Sequence, residues 1–479
     1  MALPQITDFY IYKWRYWLGY GLVGVAFVAL LVFAALYVPG GLSPEETQSA
    51  ITSANLFTSE NWWTSYPVID LPYHLLQFVS FKLLGVTLLS IKLPSIILSV
   101  ISAIAMVLLL RRWFTSGVAV LASILAVTTG QFIFIAQAGS PAIMPVFWSS
   151  TLLLVATYIA NRVRPHILWK TIFFALAALS LYTPLSIYIL IALGSAVILH
   201  PHLRFIIRRL SWKRAGIAFF VATILLVPLA WGIYQDPSLG LNLLGIPTEL
   251  PNFSENLVTL AIQYFGFMSV GSGTVMTPVF GLGSTLIILF GLYRSVKTHQ
   301  TVQGYVVLAW LLCILPLLVL NPTYGSIMFV LHVLLLSTGL ETILRSWYRM
   351  FPRNPYARFA GLIPLVVLVG GLMLFGVERY MYGYHYAPTI ARNFSHDLQL
   401  LPANTTTIVV SNEERSLYDA VALFDEDFSV HTSTPPLESF TVTHDAKSTP
   451  TPGYTIDSII TSPFSEDSDR FYIYKKSTN

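Results

Sequence analysis

The chain has 479 residues, of which 55% are hydrophobic and only 10% are charged, and its formal net charge is +4. Soluble globular domains carry about 25% charged residues, so this composition excludes that class, and the dominant apolar runs exclude a disordered or collagen-like chain. The single cysteine, Cys313, excludes a disulfide framework, a cysteine-based zinc site and an iron–sulfur cluster. The sequence therefore indicates a polytopic membrane protein.

Transmembrane helices are predicted from apolar stretches that approach the length of about 20 residues needed to cross the hydrocarbon core. We count about eleven, with an error of one or two, because the fifth and sixth are short and only Thr183 and Pro184 separate them. The stretches are residues 18–38, 93–110, 116–136, 141–160, 170–182, 184–199, 215–233, 276–293, 302–320, 323–340 and 359–378.

The basic residues predict the orientation, because Lys and Arg concentrate in cytoplasmic loops. With the N-terminus inside, about two thirds of the basic residues become cytoplasmic, whereas Asp8 and Glu341 are the only acids that do. An odd number of spans then places the C-terminus outside. We therefore expect an integral plasma membrane protein with a cytoplasmic N-terminus and an extracytoplasmic C-terminal domain.

The predicted organisation has two domains, an all-α transmembrane domain at 1–380 and a small extracytoplasmic α/β domain at 381–479. Two predicted outside segments, 39–92 and 234–275, are too long to be simple turns. Alternating apolar residues predict the strands of the second domain, and Ser411 with Glu414 predicts a capped helix. Its predicted elements are strands at Thr405–Val410, Phe428–Thr432, Tyr454–Thr461 and Phe471–Lys475, a helix at Ser411–Phe424 and a loose loop at 432–452.

The first outside segment opens with Ser43-Pro44-Glu45-Glu46, which predicts the start of a short interfacial helix over Thr47–Phe57. Ser43 can cap this helix, Pro44 suits its first position, and Glu46 completes a capping box. Both glutamates have a structural interpretation, because acids favour the first turn of a helix. Alternatively, one of them is a general base that meets a membrane-borne substrate. Capping would fix Glu46 and leave Glu45 to point into a cavity.

These motifs, in their order and spacing, resemble the first outside loop of the type C glycosyltransferases. The resemblance is to the superfamily of the dolichyl-phosphate-mannose protein mannosyltransferases and the aminoarabinose lipid A transferases, a glycosyltransferase family 39-like group. The family's Lys is Leu71 here, its second Pro is Tyr73, and the uncharged stretch 137–141 replaces a charged one. The matching segments are Gly41–Ser53, Asp70–His74, Phe81–Val86 and Lys92–Ser95.

The resemblance implies a type C glycosyltransferase fold and transfer of a hexose or pentose from a polyprenyl-phosphate donor. Glu45 would deprotonate the acceptor hydroxyl, which would attack the anomeric carbon with inversion. Lys92, at the family's Arg position, would face the leaving phosphate, although a lysine that snorkels to the interface is the alternative. The expected partners are the lipid-linked sugar, a lipid, glycan or protein acceptor, and the bilayer, with no nucleic acid.

Further substrate-binding candidates belong to the motif at Asp70, Pro72, Tyr73 and His74. Asp70 could orient the acceptor or be a solvated loop acid, and His74 could bond to the donor phosphate. No cofactor is expected, although one divalent cation shared by Glu45, Glu46 and Asp70 remains open.

Two other functions remain open. A non-catalytic relative would keep the membrane fold and use its outer loops for binding. A transporter of lipid-linked sugars is less compatible with the sequence, because ion-coupled carriers use charged residues at bilayer depth and the predicted spans lack them.

Overall fold

The computed structural model describes residues 10–38, 40–57, 66–161, 166–208, 212–247, 249, 251–267, 279–351, 355–385, 393–402, 404–450, 452–461 and 469–477. Helices make up most of the chain as far as His385, and a mixed sheet follows. The α-helices within these ranges are α1 (Tyr10–Tyr37), α2 (Pro44–Ala54), α3 (Leu71–Leu84), α4 (Leu88–Trp113), α5 (Ser116–Thr128), α6 (Gly130–Gln137), α7 (Met144–Ala160), α8 (His166–Ser180), α9 (Ile187–Leu199), α10 (Pro201–Arg208), α11 (Trp212–Gln235), α12 (Pro237–Leu243), α13 (Phe253–Phe265), α14 (Leu282–Lys297), α15 (Val302–Leu320), α16 (Met328–Met350), α17 (Pro355–His385), α18 (Asp397–Leu400) and α19 (Arg415–Ala422).

Six helical segments in the described ranges are long and apolar enough to cross a membrane, or seven if one bent pair is a single span. The chain is therefore a mostly helical membrane protein. The segments are Leu88–Trp113, Pro141–Ala160, Gly216–Gln235, Val302–Leu320, Pro322–Met350 and Ile363–Gly383, and the bent pair is α5 with α6.

A helix lies at each of the eleven predicted stretches, and the short fifth and sixth stretches are separate helices, α8 and α9. Three further apolar segments, Gly24–Tyr37, Ile167–Ser180 and Ile187–Leu199, are shorter than a full span. The count of about eleven spans therefore stays a prediction.

Glycines allow α14 and α16 to cross in backbone contact. A side chain at Gly291 would meet the carbonyl oxygen of Leu335, and one at Gly339 would meet that of Ile287. Small residues permit this close approach in membrane helices, where van der Waals packing drives association.

The C-terminal sheet has the order β2-β1-β3-β5-β4. Strand β1 pairs in parallel with β2 and β3, whereas β5 pairs antiparallel with β3 and β4. The strands are β1 (Thr407–Val409), β2 (Ser429–His431), β3 (Ser439–Thr443), β4 (Tyr454–Ile460) and β5 (Phe471–Lys476).

The loose loop predicted at 432–452 is wrong in its centre, where β3 occupies the middle of the sheet. Phe440 and Val442 of β3 are buried in an apolar cluster, and Thr443 donates to Glu414 at 2.7 Å. The Ser, Thr and Pro residues around the strand are typical of a loop, and the sequence gives no sign of these long-range contacts. The other four strands lie where the sequence predicts them. Helix α19 is shorter than the predicted Ser411–Phe424, and Ser411 and Glu414 bond to each other in the turn before it.

The sheet domain shares a hydrophobic core with the loop segments of the helical part. Phe424 stacks edge-on against Phe78 and Phe81 of α3, each at a centroid distance of 5.7 Å. Leu42 and Ser395 exchange two backbone hydrogen bonds, of 2.8 and 2.9 Å, immediately before α2. The domain therefore packs directly against the predicted catalytic segment.

Candidate functional site

Helix α2 begins with the capping box that the sequence predicts. The Ser43 hydroxyl accepts from the Glu46 backbone N–H at 3.3 Å, and Glu46 Oε2 accepts from the Ser43 N–H at 2.7 Å. Pro44 occupies the first turn, where a missing N–H costs nothing. These contacts fix the Glu46 side chain against the start of its own helix.

The second oxygen of Glu46 takes part in a buried ion pair. Oε1 accepts from the Gly139 N–H at 2.5 Å and lies 3.6 Å from Lys92 Nζ. Glu46 is 1% exposed and Lys92 is fully buried. The structure thus brings together two predicted site residues from separate segments, and Lys92 does not snorkel to the interface.

The uncharged stretch 137–141 supplies the remaining partners of this pair. Gln137 Oε1 accepts from Lys92 Nζ at 2.9 Å, and Gly139 donates to Glu46. A side chain on Gly139 would lie 2.5 Å from Ile91 Cγ2 and 3.1 Å from the Ile91 carbonyl oxygen. Only glycine therefore allows this loop to approach α4 closely enough to bond to Glu46.

Glu45 lies one residue before Glu46 on the same turn. Consecutive helical residues are about 100° apart around the axis, and Glu45 is exposed where Glu46 is buried. The first turn of α2 thus has one buried and one exposed carboxylate.

Asp70 is held at the start of α3 by the turn between α8 and α9. Its backbone N–H donates to the Tyr182 carbonyl at 2.9 Å, and its Oδ1 accepts from the Thr183 hydroxyl at 2.6 Å. Burial raises the pKa of Asp70 to about 7, and the Thr183 bond opposes that rise. The interpretation of Asp70 as a solvated loop acid therefore fails, because the residue is half-buried and bonded.

Tyr182 also anchors the same turn to α11. Pro228 interrupts the hydrogen bonds of α11, and the Tyr182 hydroxyl enters the gap. It accepts from the Leu229 N–H at 3.1 Å and donates to the Leu225 carbonyl at 2.7 Å. The turn that holds Asp70 is therefore bonded to an apolar helix at its internal proline.

Pro72, Tyr73 and His74 occupy the first turn of α3. Tyr73 is fully buried, its hydroxyl lies 2.9 Å from Ser95 Oγ, and burial raises its pKa. The carboxylates of Glu46 and Asp70 both add to this rise, so Tyr73 lies within electrostatic range of the two acids.

His74 bonds to α2 rather than to an open surface. Its Nδ1 lies 2.8 Å from Ser53 Oγ, and burial lowers its pKa to about 4. The Ser53 hydroxyl proton is directed to Gln77 Oε1 at 2.6 Å, so His74 Nδ1 is the donor to Ser53. His74 is therefore a neutral Nδ1–H tautomer at neutral pH.

Sequence reasoning missed three buried polar residues that join these elements, namely Ser49, Ser53 and Gln77. Ser49 and Ser53 are four residues apart on α2, and Gln77 follows His74 by three on α3. This spacing places polar groups on facing helical surfaces, and that was the available signal.

The sequence left open whether Glu45, Glu46 and Asp70 share one divalent cation. Within the described ranges, no group of three or more His, Cys, Asp or Glu side chains is arranged to hold a metal ion. The positive charge that Glu46 contacts belongs to Lys92.

Comparisons with known proteins give the class of the fold first. The oligosaccharyltransferase of Archaeoglobus fulgidus in its apo form has a TM-score of 0.55 and 15% identity, covering 84% of this chain and 63% of that one. The same organism's AglB, in complex with an inhibitory peptide and a dolichol-phosphate, has a TM-score of 0.50 and 14% identity, covering 87% and 64%. The chain thus spans less than two thirds of these enzymes and shares their type C glycosyltransferase fold.

The sequence match is more specific. Residues 72–231 match the family model described as dolichyl-phosphate-mannose-protein mannosyltransferase, which confirms the resemblance to this superfamily. ArnT from Cupriavidus metallidurans bound to undecaprenyl phosphate has 12% identity and a TM-score of 0.48, covering 95% of this chain and 98% of that one. No curated protein sequence matches the chain.

Proposed function

We propose that the chain is a membrane glycosyltransferase that moves a sugar from a polyprenyl-phosphate donor to the hydroxyl of a lipid, glycan or protein acceptor. The matched family model over residues 72–231 and the fold shared with the archaeal oligosaccharyltransferase support glycosyl transfer. The dolichol-phosphate in the AglB complex supports a lipid phosphate as the donor carrier.

One observation carries the assignment of the site. The buried pair of Glu46 and Lys92 fixes the first turn of α2, and the adjacent Glu45 is presented on the surface of that turn. A general base needs a rigid support and an accessible side chain, and Glu45 is exposed on a turn that the ion pair fixes. We therefore assign the base to Glu45 and the support to Glu46.

The proposed step is a single displacement. Glu45 takes the proton of the acceptor hydroxyl as its oxygen forms a bond to the anomeric carbon of the sugar. The bond from that carbon to the phosphate oxygen breaks, and its electron pair leaves with the polyprenyl phosphate. Attack opposite the leaving group inverts the anomeric configuration.

Lys92 is the cation that we propose for the leaving phosphate. An ammonium group has three N–H donors, and Gln137 and Glu46 face two of them. We propose that the third donor meets a phosphate oxygen after donor binding opens space beside the buried side chain. Asp70 would orient the acceptor, at the start of the helix whose first turn Pro72 fixes. Tyr73 and His74 are buried and bonded to Ser95 and Ser53, and would hold α3 in place.

The reaction would take place on the extracytoplasmic side. The distribution of basic residues supports a cytoplasmic N-terminus, which places α2 and the C-terminal domain outside. A lipid-linked sugar in the outer leaflet would then reach Glu45 from the membrane and the acceptor would reach it from water.

The test is sugar transfer from a polyprenyl-phosphate donor by purified E45Q and E46Q variants. We expect E45Q to fold normally and to lose about 10²–10⁴-fold in kcat, the usual contribution of a general base. E255Q is the matched control, because Glu255 is an exposed acid in the first turn of α13. A fully active E45Q protein would overturn the assignment of the base.

A non-catalytic relative is the second candidate, and one observation favours it. Glu46 and Lys92 already satisfy each other in a buried site, as a purely structural pair would. An absence of transfer from every polyprenyl-phosphate sugar offered to the folded protein would select this alternative.

A further inference from the structure

A buried glutamine, Gln77, joins the segments of the proposed site. It is fully buried on α3 and makes four hydrogen bonds. Its Oε1 accepts from the hydroxyls of Ser49 at 3.0 Å and Ser53 at 2.6 Å. Its Nε2 donates to the carbonyl oxygens of Ile91 at 2.9 Å and Gly139 at 3.1 Å.

The chemistry of these partners fixes the orientation of the amide. Carbonyl oxygens only accept hydrogen bonds, so the NH₂ group must face Ile91 and Gly139. The two hydroxyls then donate to the amide oxygen. A primary amide offers two donors and two acceptor sites, and all four are used here, which no carboxylate or apolar side chain of similar size can reproduce.

Each bond of Gln77 ends on a segment that carries the ion pair or one of its hydrogen-bond partners. Gly139 accepts from Gln77 through its carbonyl and donates to Glu46 through its N–H. Ile91 is the residue before Lys92. Ser49 and Ser53 lie on the helix that carries Glu46, one and two turns further on.

We propose that Gln77 is the positioning residue of the Glu46–Lys92 pair, an inference that rests on the proposed function for its catalytic consequence. It touches no reacting atom. It fixes the distance between α2, α4 and the loop at Gly139, and thereby the geometry of the turn that presents Glu45. Small displacements of a catalytic group lower rates strongly, because the reacting atoms must be aligned.

The experiment compares Q77M, Q77E and the control Q303M in the full-length protein. Gln303 is a half-buried glutamine with one bond to a backbone carbonyl, that of Trp113, and lies outside the site. We expect Q77M to lower kcat at least 30-fold with KM for the donor changed less than threefold, and Q303M to change neither. A loss confined to the yield of folded protein, with normal kcat, would overturn the inference.

Q77E adds a readout that a general structural role would not move. The ionised carboxylate of Q77E has no proton to donate to the two carbonyl oxygens that it faces. The protonated acid can donate one hydrogen bond to them. The kcat of Q77E relative to the native chain should therefore rise at least fivefold from pH 8 to pH 5.5, while the ratio for Q77M stays constant. A Q77E ratio that does not change with pH would contradict the proposal.

Hydrogen exchange separates this inference from the proposed function. The amide of Gly139 should exchange at least tenfold faster in Q77M than in Q303M, because Gln77 holds the Gly139 carbonyl and thereby the loop whose N–H bonds to Glu46. This measurement needs no turnover, so an inactive native chain would count against the glycosyltransferase alone. Unchanged exchange at this amide would count against the role of Gln77.

Discussion

Lys92 Nζ lies 3.6 Å from Glu46 Oε1, and solvent reaches neither side chain. A buried pair of this kind is costly to break, because the remaining partner keeps an uncompensated charge in a low-dielectric site. Its geometry is reinforced by neutral groups, the amide of Gln137 and the N–H of Gly139. The start of α2 is therefore tied to α4 and to the end of α6.

Removal of one partner from this pair should destabilise the protein more than removal of both. We expect E46Q and K92M each to cost about 3–5 kcal/mol, the usual range for a buried charge left alone, and the double variant to cost less than either single variant. Thermal unfolding in detergent measures the three variants. E341Q is the control, because the Glu341–Arg345 pair has an exposed arginine and should contribute at most about 1 kcal/mol. Strict additivity would contradict a direct pairing.

The pH dependence of stability should contain a contribution from Asp70. Its pKa rises from 3.8 unfolded to about 7 folded, chiefly through burial, so the folded chain binds the proton more tightly. This contribution is fully present below about pH 4 and is lost as pH rises towards 7. D70N should therefore flatten the decline in the thermal midpoint between pH 4 and 7.

Two variants check the assignment to Asp70. T183V removes the hydrogen bond that opposes the rise in pKa and should move the decline to higher pH. D236N changes an exposed cap of α12 and should leave the decline as it is. Burial also raises the pKa of Asp397 to about 7. Asp397 therefore adds its own decline of the thermal midpoint with pH, which D70N should not remove.

G139A should uncouple the loop at 137–141 from Glu46. The new methyl group would lie 2.5 Å from Ile91 Cγ2 and would push the loop off α4, lengthening the Gly139 bond to Glu46. We expect at least a tenfold loss of sugar transfer and a lower thermal midpoint. G194A is the matched control, because a methyl group there meets nothing within 4 Å and alanine favours the helix. Equal behaviour of the two variants would exclude the close approach.

F424A should loosen the C-terminal domain from α3. It removes the edge-on contacts to Phe78 and Phe81 and should cost about 1–3 kcal/mol, less than a fully buried phenylalanine because Phe424 is half-buried. L423A, at an exposed neighbour, should have little effect. Thermal unfolding of the two variants measures the difference. A domain that only touched the membrane part loosely would show no difference between them.

The start of α2 could be predicted from sequence because its determinants are local. Ser43 and Glu46 are three residues apart and bond to each other, so the motif forms without contacts from other parts of the chain. The pairing of Glu46 with Lys92 could not be predicted this way, since it depends on how α2 packs against α4. The order of the motifs indicated both residues as site candidates but did not indicate that they would be in contact.

Gln77 and β3 were missed for related reasons. The spacing of Gln77 from His74 marks a polar face of α3 but does not identify its partners, because the four groups that it bonds come from three other segments. The residues of β3 lie between Ser, Thr and Pro residues that favour a loop, and the strand is stabilised by its two neighbours in the sheet. Long-range contacts decided both cases.

The Tyr182 hydroxyl, bonded within α11 beside Pro228, links that helix to the start of α3. The Tyr182 carbonyl accepts the backbone N–H of Asp70, so a tilt of the half of α11 beyond Pro228 would pull on this acid. A force from the bilayer on that helix would then reach a titratable group through two hydrogen bonds.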